Sequence, residues 1–274
     1  LGKVIVITSG KGGVGKTTAS ANIGAGLARE GKKVVLIDAD IGLRNLDLVM
    51  GLENRIVFDI VDVVEKKCRS FRQALIKDKR FANLFLLPAA QSRDKNALQP
   101  ELMRELCDTL RENFDFVIID CPAGIELGFQ NAIAGADEAI IVTNPEVSSV
   151  RDADRVIGLL EAEDKSNPRL LINRMRDNLV KKNQMLSVDS VTDILGIDII
   201  GIIPEDEKVL FSSNKGEPLV MDDSSKAGRA YRSVVKRLID PNATMELQIE
   251  DSGFWAKLKR IFAGGNGVFG FKAQ

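Results

Sequence analysis

The stretch Gly10-Lys11-Gly12-Gly13-Val14-Gly15-Lys16-Thr17 constrains this chain more than any other, because a turn of that composition belongs between a strand and a helix. Both flanks are present. Val4 to Ile7 is a β-branched run that reads as a buried strand, and Thr18 to Ala28 reads as the helix behind it. In such a turn the glycines let successive backbone N–H groups converge on one point, and the helix N-terminus adds its partial positive charge. Phosphate oxygens are then held mostly by main chain. Lys16 lies within reach of the β/γ-phosphates, and the Thr17 hydroxyl is placed to ligate Mg²⁺.

The rest of the chain alternates strand-like and helix-like runs. Val34 to Ile37 reads as a buried parallel strand that runs into Asp38 and Asp40. Phe116 to Asp120 is an apolar run closed by a carboxylate, the Walker B form, in which the strand fixes Asp120 at the sheet edge where it can hold Mg²⁺. Further strands are expected at Glu138 to Thr143, Leu170 to Asn173 and Ile199 to Ile203, with helices at Pro100 to Leu110 and Ala227 to Leu238. This predicts one α/β domain, doubly wound around a mainly parallel sheet. Its ligands belong at the carboxyl ends of the strands. A chain of 274 residues, 45% hydrophobic, is long enough to fill such a core.

Two residues carry double readings. Asp38 can cap the turn that follows it or join a Mg²⁺ network. Asn173 offers an amide donor and acceptor at the spacing of adenine's N7 and N6 edge, and asparagine also favours strand-end turns.

Composition removes several chemistries. With no histidine, His-based triads and His-ligated zinc are excluded, leaving carboxylates, lysines, backbone dipoles and a hard cation. Cys68, Cys107 and Cys121 are odd in number, widely spaced and form no CxxC pair, which fits reduced thiols. No run of 18 or more apolar residues exists, and the N-terminal run reads as a strand instead of a leader, so a cytosolic chain is expected.

Lys11 places a second lysine at the start of the loop, giving the deviant Walker A pattern, KGGxGK followed by Thr or Ser. On this motif the chain resembles the ParA/MinD family of P-loop (SIMIBI-type) ATPases. Asp40 to Asp47, Ala74 to Arg80 and Leu87-Pro88-Ala89 are similar to its MinD branch. The resemblance implies ATP and Mg²⁺, with Thr17, Asp38 and Asp120 around the metal and Lys16 and Asp40 in catalysis, Asp40 orienting the attacking water. It implies that Lys11 reaches across a homodimer interface to the partner's nucleotide, as an arginine finger does elsewhere; a solvated surface lysine is the plainer reading. The nucleotide would lie on Gly10, Lys11, Gly12, Gly13, Val14, Gly15, Lys16, Thr17 and Thr18, with Asn173 and Pro204 beside the base. Cys121 to Glu126 would be a switch loop in which Gly124 turns at little steric cost. The segment Asn144 to Arg155 begins a helix that the resemblance puts near the dimer seam, though alternating charges also suit a solvated face. The partners implied are MinC, recruited as a septation inhibitor, and MinE, which stimulates hydrolysis.

The chain is expected to divide at 1–238 (ATPase domain), 239–252 (linker) and 253–274 (targeting tail). Phe254, Trp255, Leu258, Ile261 and Phe262 fall within an arc of about 120° at helical spacing, with Lys257, Lys259 and Arg260 outside it. That pattern suits a helix lying on an anionic phospholipid surface, or, alternatively, a terminal helix packed on the body. Large apolar side chains yield at most ~1.5 to 3 kcal/mol each and bases near anionic lipid ~1 kcal/mol, against ~1 to 2 kcal/mol per ordered residue. One copy is marginal; two on a dimer gain ~10² to 10⁴ in avidity. The implied location is the cytoplasm and the cytoplasmic face of the inner membrane.

Three other readings compete. A ParA-type DNA-partitioning ATPase would carry basic surfaces, whereas the last 22 residues here hold four bases and no acid while the whole chain has net charge −1, leaving an acidic body for which no specific nucleic acid is expected. Iron–sulfur carriers of the superfamily need paired cysteines that this chain lacks. A nucleotide-gated scaffold would bind ATP without turnover.

Overall fold

A computed structural model describes residues 1–93, 97–165 and 167–245. In chain order these form β1 (Lys3–Thr8), α1 (Lys16–Arg29), β2 (Val34–Asp38), α2 (Leu46–Met50), α3 (Ile60–Val64), β3 (Ile76–Lys77) and β4 (Leu84–Leu87). There follow α4 (Pro100–Arg111), β5 (Phe116–Asp120), α5 (Leu127–Ala134), β6 (Glu138–Thr143) and α6 (Val147–Ala162). The described chain closes with β7 (Arg169–Met175), α7 (Asp177–Lys181), α8 (Val188–Leu195), β8 (Ile199–Pro204), α9 (Lys208–Lys215) and α10 (Lys226–Ile239).

The strands make one sheet in the order β3-β4-β2-β5-β1-β6-β7-β8, parallel throughout except for the antiparallel edge pair of β3 and β4. This is the doubly wound architecture expected. Strand side chains alternate between two cores. Val4 and Val6 face the layer that contains α3 to α6 and α8, while Ile5 and Ile7 face the layer of α1, α2 and α10. Because both faces are covered, the strands carry continuous apolar runs, and β5 is buried at every position.

Register then sets the functional edge. Ile7 and Asp38 both pair with Asp120, so the ends of β1, β5 and β2 lie side by side at the crevice where the P-loop leaves the sheet. α1 lies over this central region and buries most of its length, built from small residues that let it approach the sheet closely.

The sequence places β5 and β6 at their observed limits and does not disclose β3, β4, α2, α3, α5 or α7 to α9. Within 144–155, α6 begins only at Val147; Asn144 and Pro145 remain outside, and Val150, Ala153, Val156, Ile157 and Leu160 turn its apolar face to the sheet. Beyond α10, which runs through Ile239, the chain continues to Met245, buried in the same layer as α8. The tail residues Phe254, Trp255, Lys257, Leu258, Lys259, Arg260, Ile261 and Phe262 lie outside the described residues.

Candidate functional site

Gly10 to Gly15 forms a tight turn between β1 and α1. Two of its glycines are required by geometry. Gly15, the N-cap of α1, has φ 104°, in the region that side-chain-bearing residues avoid. At Gly10 a Cβ would come within 2.2 Å of the Asp152 carbonyl oxygen, so α6 can lie against the loop only over glycine. With no side-chain cap on α1, the first N–H groups of the helix remain available to an anion.

The two lysines occupy different environments. Lys16 is 8% exposed, and its Nζ donates to Ser9 Oγ at 3.0 Å, beneath the loop. Lys11 is on the outside; its Nζ donates to Ser148 Oγ at 3.2 Å and lies 3.7 Å from Glu146 Oε2, at the start of α6. That ion pair is about half exposed on both sides, so it holds Lys11 by only ~0 to 1 kcal/mol.

Behind the loop, Asp120 is buried, and the hydroxyls of Thr17 and Ser20 donate to its carboxylate, that of Ser20 at 2.9 Å. Burial, then the nearby charge of Asp38, raises its pKa to about 7. Asp38 is also buried, which raises its pKa to about 6 against the pull of three backbone donors, Asp40, Asn45 and Leu46, at 3.0 to 3.1 Å. Asp38 therefore organises the loop that carries Asp40 and starts α2, the capping role. Two adjacent carboxylates and two hydroxyls, all hard oxygen donors and with both acids short of compensating charge, are the set that a hard divalent cation stabilises. The oxygen donors of Thr17, Asp38 and Asp120 are of the kind that fits Mg²⁺. Asp40 lines a small cleft of about 70 Å³ with Pro122, Ala123 and Glu126, at the start of the segment where Gly124 takes φ 93°.

On the other side of the P-loop, a cleft of about 690 Å³ is lined by Gly15, Thr18, Asn173, Pro204, Val209 and Tyr231, among others. That volume suits a nucleoside. The structure thus brings together Gly15, Thr18, Asn173 and Pro204, four residues drawn from three separate parts of the sequence. The Asn173 amide nitrogen donates to the Val14 carbonyl at 2.7 Å, tying the end of β7 to the loop and leaving the amide oxygen to face other partners.

Sequence reasoning missed Ser9, Ser20 and the α9 wall of the cleft. Ser20 had a signal, since it falls three residues after Thr17 on the same helix face. α9 had little, for it buries no residue fully.

A glycine turn at the head of a helix, a buried lysine beneath it and a Walker B carboxylate on the adjoining strand define a P-loop nucleoside-triphosphate-binding protein. Residues 2–172 match a family model described as an AAA domain. The septum site-determining protein MinD of Synechocystis is 59% identical over 239 residues, covering 87% of this chain and 90% of that protein. The Bacillus subtilis MinD is 53% identical over 265 residues, covering 96% and 98%. Among solved structures, the MinD cell division protein of Aquifex aeolicus superposes with a TM-score of 0.81 at 51% identity, over 89% of this chain and 99% of that one. A MinC:MinD cell division protein complex from the same organism gives 0.79 at 53%, over 86% and 95%. MinD of Pyrococcus horikoshii complexed with Mg-ADP gives 0.80 at 29%, over 88% and 97%. The chain belongs to the MinD family of septum site-determining ATPases.

Proposed function

We propose that this chain is a membrane-cycling ATPase that binds ATP and Mg²⁺, closes into a homodimer around the nucleotide and helps place the division septum. The observation that carries the reading is the separation of the two loop lysines. Lys16 is buried beneath its own loop, whereas Lys11 stands outside it on a weak surface tether to Glu146 and Ser148, from which a second copy could recruit it at little cost.

Within one subunit, the backbone N–H groups at the start of α1 and the Lys16 ammonium would bind the phosphates, and the helix terminus favours the anion. Thr17 and Asp120 would hold Mg²⁺, which supplies charge neutralisation on the phosphate oxygens. Asp38 acts on the loop itself: by accepting from Asp40, Asn45 and Leu46 it fixes the backbone that presents Asp40, the group proposed to orient water. Asn173 and Pro204 would flank the base. Lys11 of one subunit would complete the other's phosphate site, making turnover depend on association.

The tail makes that association a membrane signal, because two weak amphipathic segments bind together where one does not. MinC recruitment and MinE-stimulated release are proposed on family membership and on the MinC:MinD complex of a relative. The site of action is the cytoplasmic face of the inner membrane. Among the described residues no helix is long and apolar enough to cross a membrane, so peripheral attachment rests on the tail pattern.

Trp255 is the sole tryptophan and reports on this directly. Its emission is expected to shift to the blue when ATP and anionic vesicles are both present and hardly at all with ADP. An unchanged spectrum under both conditions would remove the membrane part of the proposal and leave the ATPase assignment standing.

A further inference from the structure

The segment Ala74 to Arg80 contains no phosphate-site residue, yet Asp78 is buried at the sheet edge while Arg80 is only partly exposed. The Asp78 carboxylate grips Arg80 through both oxygens, at 2.6 Å to Nη2 and 3.1 Å to Nε. So oriented, Arg80 spans two helix ends. Nη1 donates to the Gly216 carbonyl, just past α9, at 2.6 Å, and Nη2 donates to the Met50 carbonyl, the last residue of α2, at 2.8 Å. The two ends touch, since a Cβ on Gly216 would lie 2.4 Å from the Gly51 Cα.

α9 needs such an anchor. It contributes Val209, Leu210 and Ser213 to the wall of the large cleft, and it buries no side chain fully, with Leu210 and Phe211 well exposed. Its N-terminal end is held by Lys208, whose backbone N–H donates to Asp206 and whose Nζ donates to Asp222. Its C-terminal end is held by Arg80. A bidentate guanidinium is the group that can satisfy a carboxylate and two carbonyls in one fixed geometry; a lysine has one nitrogen to offer.

Given the base cleft proposed above, the geometry points to Arg80, oriented by Asp78, as a positioning residue that seats the α9 wall against the nucleotide base and so sets affinity for the nucleoside part of ATP. Arg80 is not a catalytic residue. Its reach to Met50 also ties that wall to α2, whose first turn is gripped by Asp38.

The test compares dissociation constants for ATP and for inorganic tripolyphosphate, both with Mg²⁺, in the full chain and in two variants. Arg80→Lys keeps the charge opposite Asp78 and loses at least one carbonyl. Gly216→Ala forces the same seam apart from the other side. Each variant is expected to weaken ATP binding roughly tenfold, the loss of a charged hydrogen bond, while tripolyphosphate binding stays within about twofold of wild type. Should Arg80→Lys fail to fold, Gly216→Ala decides. Equal losses for both ligands, or no loss for either, would overturn the inference, since a merely structural role moves the two together. A wild-type chain that binds ATP no better than tripolyphosphate would instead remove the base-cleft reading itself.

Discussion

The P-loop side of the site and the cleft proposed for the base are built in opposite ways. The phosphate half comes from one contiguous loop and two neighbouring strand ends, and its shape is dictated locally by glycines at fixed φ and by the register of Asp38 with Asp120. The proposed base cleft is assembled from the ends of β7 and β8, a surface helix and Tyr231 of α10, held together by long-range contacts such as Asn173 to Val14 and Arg80 to Gly216. A locally specified half tolerates little change at any position. An assembled half can be loosened in steps.

That contrast fixes the order of expected effects. Lys16→Ala removes the buried charge beneath the loop and should lower nucleotide affinity and turnover by about a hundredfold or more, measured by titration and phosphate release. A loss of only a few fold would mean that the two halves are built more alike than they look.

Asp120→Asn separates function from stability. The folded chain holds the Asp120 proton up to about pH 7, whereas the unfolded chain releases it near 3.8. With the folded pKa raised, the unfolded state binds fewer protons across that window, so this group makes the apo protein less stable as pH rises from about 4 to about 7. Putting an amide in place of this carboxylate should raise the apo melting temperature at neutral pH by about 2 to 6 °C, with the gain vanishing near pH 4, while Mg²⁺-dependent turnover is lost. A variant that melts earlier at neutral pH would mean that the carboxylate is compensated by neighbours and is not a waiting metal ligand.

The smallest effect concerns the thiols. Burial pushes Cys107 and Cys121 up to about 12, whereas Cys68 is only half-buried. Alkylation of the folded chain at neutral pH should label Cys68 and spare the other two. Labelling of Cys121, which accepts from Thr8 beside the loop, would reveal that the phosphate half opens on the labelling timescale.

Legibility followed the same division. The loop, β5 and β6 could be read from the chain because buried parallel strands must be apolar at every position and a phosphate turn must carry its glycines. Asp38 and Asn173 stand out in the sequence as candidates, but their partners do not, since three backbone donors on Asp38 and the Val14 carbonyl against Asn173 arise only on folding. β3 has two residues and β4 four, below the length at which periodicity separates a strand from a loop. α9 lacks the buried stripe by which a helix announces itself. Ala74 to Arg80 was visible as a family likeness, and only the geometry around Asp78 supplies a reason for it.

The measurement closest to the heart of the account is the association state of a Lys11→Ala chain under ATP, by light scattering, alongside its sedimentation with anionic vesicles. The Lys11 ammonium is bonded to the start of α6 while Lys16 stays buried under its own loop on Ser9, so the variant should still bind nucleotide while remaining monomeric and leaving the vesicles unoccupied. Dimers and vesicle binding at wild-type levels would contradict the coupling of nucleotide, dimer and membrane on which the functional reading stands.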